Sequence, residues 1–193
     1  MGRKLDDGWL TLRIPPLQKC QNLLDSMEMP AHIQAHSRLV CAVALLLADG
    51  LLSAGIAVNR ELVQASALLH DITKPRSFKT GENHAQTGGE YLRDLGYREV
   101  GEIIRQHVIL DAYFLADTPN EAEVVNYADK RVLHDRIVPL DDRMNYILQR
   151  YAKTAAQKQR YLEMLDDTLR LEQRIFNYLM FGPEHVAERI LVK

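Results

Sequence analysis

The chain is poor in the features that mark several large classes of protein. It holds two cysteines, Cys20 and Cys41, among 193 residues. They form no CxxC pair, so neither a disulfide framework nor a thiolate zinc site organises the fold, and Cys41 is expected as a small core residue. There is little excess charge: 24 Lys and Arg against 26 Asp and Glu leave −2. A general nucleic-acid binder would be basic, so that class loses support. Long apolar runs are missing too. The longest uncharged one, Leu39–Ala48, ends at Asp49-Gly50 and falls well short of the ~20 residues of a membrane span. The first residues, MGRKLDDGWL, contain no apolar stretch of the signal-peptide kind. The expectation is a cytoplasmic protein with no membrane partner.

What is present is helical. Apolar residues make up 47% of the chain, enough for a sizeable core, and they recur at helical spacing with prolines between the periods. The pattern predicts helices at about 17–27, 30–52, 61–71, 84–95, 98–108, 121–133, 141–153 and 155–180. A last short helix is expected after Gly182-Pro183. Asn59 is a suitable N-cap, and Pro30 suits a first helical turn. Lys74-Pro75 is expected to end a helix and open a polar loop over 76–83, with a second loop over 111–120. Residues 1–16 read as irregular. No repeat and no long linker divides the chain, so a single all-α domain over 1–193 is expected.

Several polar residues fall on apolar helical faces. His36 shares a face with Val40, Val43 and Leu47. His70 shares one with Val63 and Ala67, and Asp71 follows it. His107 lies with Ile103 and Ile104, and Asp129 lies one turn after Val125. A buried carboxylate without a partner costs several kcal/mol or neutralises itself. Taken singly, an inward histidine is more often a hydrogen-bonded core residue than a ligand, and Asp129 could pair with Lys130 or Arg131. Taken together, three histidines and two aspartates want a common explanation, and a metal centre is one. His134-Asp135 is a second His-Asp pair, beside Arg131 and Arg136, and reads as a solvated helix end or an ion-pair partner. His32, one turn before His36, is expected to be exposed, as is His185.

The run Leu68-Leu69-His70-Asp71-Ile72-Thr73-Lys74 resembles the signature of the HD-domain metal-dependent phosphohydrolases. The resemblance extends in order through His36, His70-Asp71, His84 with Gly88-Gly89, His107, and Asp129 in Tyr127-Ala128-Asp129-Lys130. It covers about 30–138. Thr73 departs from the family, where Gly is frequent at that place; an ordinary helical backbone would tolerate it. The resemblance implies an HD-domain helical bundle, with additional C-terminal helices over about 140–193. It implies His36, His70, Asp71 and Asp129 as metal ligands, with His84 and His107 added where two metals are held and Asp71 as the bridging carboxylate. The cofactor implied is a divalent metal, two ions of Mn, Fe, Co, Ni or Zn, since the donors are N and O with no thiolate.

The activity implied is hydrolysis of a small phosphorylated compound, preferably a nucleotide. Two cations would offset phosphate charge and acidify water held between them. Asp71 and Lys74 are the expected catalytic residues, and Lys74 and Arg76 the substrate-binding cations. The cyclic-dinucleotide branch is disfavoured, because Val108 follows His107 and Arg98 follows Gly96-Tyr97. The alternatives are a di-iron oxygenase on the same scaffold and a non-catalytic nucleotide-sensing module. Leu162, Leu165, Leu169, Ile175 and Leu179 form a partial apolar stripe. It is expected to pack on the core, with a homodimer surface or a lid over the site as the sharper reading.

Overall fold

The computed structural model describes residues 12–114 and 116–191. Most of the segment expected to be irregular, 1–16, lies outside the described residues; 12–16 carry neither helix nor strand. The rest is all-α apart from one small hairpin. Helix α1 covers Leu17–Ser26, α2 Ala31–Ser53, α3 Arg60–Leu69, α4 Lys74–Thr80, α5 His84–Asp94, α6 Arg98–Ile104 and α7 Glu121–Lys130. Strands β1 (Val132–Leu133) and β2 (Arg136–Ile137) follow, then α8 (Leu140–Tyr151), α9 (Ala155–Phe176), a 3-10 turn at Pro183–His185 and α10 (Val186–Leu191).

Helix α2 is the central element. Its inward face, with Ile33, His36, Val40, Val43, Leu47 and Leu51, is buried against α3 and α7. It is long and apolar enough by length and composition to cross a membrane. Here that apolarity is used within the bundle, which covers it on two sides. Cys20 and Cys41 are both free and buried, and burial pushes their thiols up to about 11 and about 12. Both stay protonated at neutral pH and act as small core residues.

The helix starts follow local chemistry. The Asn59 side chain accepts from Leu62 N at 3.0 Å, and the Asn83 side chain accepts from Ala85 N at 3.1 Å. Asn120 with Glu123, and Thr154 with Gln157, close reciprocal capping boxes on α7 and α9. Helices α5 and α6 cross in close contact because glycines face each other. A Cβ on Gly89 would lie 2.7 Å from the Gly101 carbonyl oxygen.

Several expectations need correction. The segment expected as a polar loop over 76–83 is largely helix α4. Pro75 sits in its first turn, where a missing N–H removes no helical bond. Gly81, at φ 73°, then ends it. The helix expected to reach 108 stops at Ile104, and the one expected to reach 133 stops at Lys130. Beyond Lys130 the chain forms the hairpin, pairing Val132 with Ile137 and Leu133 with Arg136. His134-Asp135 is therefore the turn of a hairpin, with His134 at a left-handed φ of 58°.

The C-terminal helices are fastened to the core by a polar network. Arg131 donates to the Tyr127 hydroxyl at 2.6 Å and to the Val138 and Pro183 carbonyls, each at 2.9 Å. It also pairs with Glu172 of α9 at 3.4 Å. Leu171 and Ile175 of α9 are fully buried, whereas Leu162 and Leu169 remain exposed. The stripe thus packs only at its C-terminal end.

Candidate metal centre

The residues singled out for metal come together from five places. His36 projects from α2, His70 and Asp71 lie in the turn that ends α3, and His84 opens α5. His107 lies in the turn after α6, and Asp129 in the last turn of α7. Asp71 is held in a tight turn in which Lys74 N donates to its carbonyl at 2.9 Å.

Donor atoms form two groups that share Asp71: His36, His70 and Asp71, then Asp71, His84 and His107. His36 Nε2 lies 3.1 Å from Asp129 Oδ1, and His70 Nε2 lies 3.6 Å from the same oxygen. His84 Nε2 is 3.2 Å and His107 Nε2 3.7 Å from Asp71 Oδ1. Asp129 thus faces the histidines; it pairs with neither Lys130 nor Arg131 among the described contacts.

Backbone carbonyls fix the rings. His36 Nδ1 meets the His134 carbonyl at 2.9 Å, His70 Nδ1 that of Ala67 at 2.8 Å, and His107 Nδ1 that of Ile104 at 2.7 Å. Each carbonyl can only accept, so each Nδ1 donates. When the ring is neutral, its Nε2 then presents a lone pair to the cluster, which is how a metal-binding histidine is oriented.

The electrostatics call for a cation. Burial disfavours a charge on His70, but the Asp71 and Asp129 carboxylates outweigh it and raise its pKa to about 10. Burial together with the charge on His70 pushes His107 down to about 3. The desolvation of Asp71 and Asp129 is overcome by the surrounding imidazoles and cations, which hold both carboxylates well below the usual range. In the protein alone, a proton on His70 supplies the positive charge the cluster collects. Even so, His70 Nε2 and Asp71 Oδ1 are buried without a hydrogen-bond partner among the described residues. Orphaned buried donors and acceptors of this kind are rare and costly. A divalent ion would satisfy both, and the all N/O donor set fits one.

Lys74 Nζ donates to Asp71 Oδ2 at 2.6 Å and also lines the adjoining cavity. Arg76 is not brought to the site. It is exposed, pairs with Glu82 at 2.5 Å and does not line the cavity. The helical path of α4 turns it away, which the expected loop did not anticipate.

Several supporting residues escape a reading by sequence. Thr73 stays at φ −103°, so the family's Gly is not required there. Its hydroxyl instead donates to the His84 carbonyl at 2.8 Å and ties α5 to the Asp71 turn. Buried Lys130, pushed down to about 8 by desolvation, donates to the carbonyls of His107 and Val108 at 3.2 and 3.1 Å. It holds the turn that carries His107. Phase within a helix predicts neither role, because both are side chain-to-backbone bonds across elements.

A cavity that adjoins the cluster at His36 and Asp71 has a volume of about 630 Å³, and its lining also includes Lys74, His134, Arg143 and Tyr146. That is within the roughly 300–1,000 Å³ of small-molecule sites.

This fold and this set of side chains define an HD domain. The HD domain family profile matches residues 33–132, and the chain belongs to that family. An uncharacterized protein of Methanocaldococcus jannaschii is 28% identical over 149 residues, covering 70% of this chain and 87% of that relative. A crystal structure of a predicted HD superfamily hydrolase from an uncultured Thermotogales bacterium aligns with TM-score 0.48 and 23% identity. The alignment covers 87% of this chain and 95% of that one. Membership of the HD family implies a divalent metal, and the His/Asp clusters are suited to hold one.

Proposed function

We propose that the protein is a metal-dependent phosphohydrolase that cleaves a small phosphorylated metabolite, preferably a nucleotide. The observation that carries this reading is the pair of buried atoms without a hydrogen-bond partner among the described residues, His70 Nε2 and Asp71 Oδ1, beside a cavity that Asp71 lines together with Lys74, Arg143 and Arg150. His36, His70, Asp71 and Asp129 would hold one ion. Asp71, His84 and His107 would hold a second, with Asp71 shared. Bound divalent ions offset phosphate charge and make water acidic enough to attack near neutral pH.

The chain's own residues do the rest. The His134, Ala67 and Ile104 carbonyls fix three imidazoles before substrate arrives. Lys74, anchored on Asp71, presents a positive charge to a non-bridging oxygen. The water oxygen bonds to phosphorus, the bond to the leaving oxygen breaks, and one water proton ends on the leaving group. In this reading the protein works in the cytoplasm on a soluble substrate.

The test is release of phosphate or nucleoside from a panel of mononucleotides, cyclic nucleotides and dinucleoside polyphosphates, with Mn, Ni, Co, Fe or Zn supplied. Asp71→Ala is run beside the wild type. Release by the wild type alone supports the assignment. Equal release by both, or none from a metal-loaded wild type, overturns it.

A further inference from the structure

Helix α8 forms one wall of the cavity and carries Arg143, Tyr146, Arg150 and Tyr151 to it. Arg143, Tyr146 and Arg150 are spaced so that they share a helical face. The Arg143 guanidinium lies over the Tyr146 ring at 5.9 Å, and that ring meets His134 edge-on at 5.4 Å. Arg143 Nε is buried with no hydrogen-bond partner among the described residues. Asp135, on the hairpin turn, lines the same cavity and forms no ion pair with Arg143 among the described contacts. The other lining carboxylate, Asp71, is already engaged by Lys74.

Arg143 is half-buried and its charge is felt by Asp129 of the cluster; its buried Nε–H still lacks an acceptor, which an anion in the cavity would supply. An arginine fork suits a phosphate better than an ammonium does, because it can give two parallel hydrogen bonds. The cavity, at about 630 Å³, is also larger than one phosphate needs, and exposed Phe78 and Tyr151 line it. Resting on the phosphohydrolase reading above, we infer that Arg143, backed by Arg150, is a second anion-binding site. It selects substrates that carry another phosphate beyond the one placed over the His/Asp cluster. The substrate class is then a nucleoside diphosphate or polyphosphate rather than a monophosphate. The C-terminal helices, which lie beyond the matched family segment, supply this selectivity.

The experiment is equilibrium binding to the full-length metal-loaded protein by calorimetry. The probes are inorganic phosphate and the α,β-methylene analogue of adenosine diphosphate, which is not cleaved at that bridge. The proteins are wild type, Arg143→Gln and Arg143→Lys. The wild type is expected to bind the diphosphate analogue more tightly than phosphate. Arg143→Gln should weaken the analogue about tenfold or more and phosphate by less than about threefold. Arg143→Lys should fall between, since it keeps the charge and loses the fork. Equal weakening for both probes, or no change for either, overturns the inference. Metal content and thermal melting of each variant show that site and fold are intact. Failure of the phosphohydrolase reading is separately visible, as metal-loaded wild type that binds the analogue and hydrolyses nothing.

Discussion

His84 Nε2 and His107 Nε2 face each other at 3.2 Å. His107 spends its proton on the Ile104 carbonyl, so its Nε2 is a lone pair aimed at a second nitrogen and at Asp71. A proton on His84 Nε2 makes this contact a hydrogen bond, and a cation held by both nitrogens would take that proton's place. Either His84→Ala or His107→Ala is therefore expected to lower bound metal from two ions to one per chain, read by elemental analysis. Two ions retained in both variants would remove the second site.

Thr73 is the next test. Thr73→Val keeps the shape but withdraws the hydroxyl from the His84 carbonyl. A lost buried hydrogen bond of this kind costs about 1–3 kcal/mol. Denaturant unfolding should show that loss, with weaker metal binding beside it, and Thr73→Ser should recover both. A valine variant as stable as wild type would mean that the added methyl group finds equivalent packing and that the hydroxyl does not position α5.

At the α5–α6 crossing, Gly89→Ala would drive a methyl group against the Gly101 carbonyl and the Arg105 Cβ. Overpacking of this size costs about 1–3 kcal/mol. The melting temperature should drop, and metal occupancy with it, because α6 leads directly into the turn that holds His107. An unchanged melting temperature would show that the helices can part without loss.

Arg131→Ala leaves the Tyr127 hydroxyl and the partly buried Glu172 without their cation and frees the Val138 and Pro183 carbonyls. Removing one partner of such a pair costs about 3 kcal/mol or more. The urea midpoint should fall by a corresponding amount. A loss under about 0.5 kcal/mol, ordinary for a surface site, would contradict the role given to this network.

Metal removal gives a further check. A ligand that binds only the folded chain stabilises it by about 2.7 kcal/mol at a hundredfold excess over Kd. Chelator-treated protein should melt lower than protein resupplied with Mn, Co, Ni, Fe or Zn, and Asp71→Ala should show little of this difference. The same rise in both would place the ion elsewhere.

The gathering of His36, His70, Asp71, His84, His107 and Asp129 is legible in the sequence because each stands out as polar within an apolar period or within a recognisable ordered pattern. Element type is legible for the same reason in α2, α7 and α9, which are long or well capped. What escapes is set by tertiary contacts. Nothing local says that Val132–Ile137 leaves the helix for a hairpin, since the hairpin depends on packing against α2. Pro75 misleads because a proline can open a helix as well as end one. Arg76 and Arg143 illustrate the remaining gap. Both are cations near a boundary, and only the path of the backbone sends one to Glu82 and the other into the cavity.

The cluster draws its side chains from positions far apart along the chain, from His36 on α2 to Asp129 on α7. Such an assembly exists only after the bundle has closed, because each long loop must be ordered before distant groups meet. An ion that needs the full set would act on the finished domain: it is expected to slow opening more than it speeds folding.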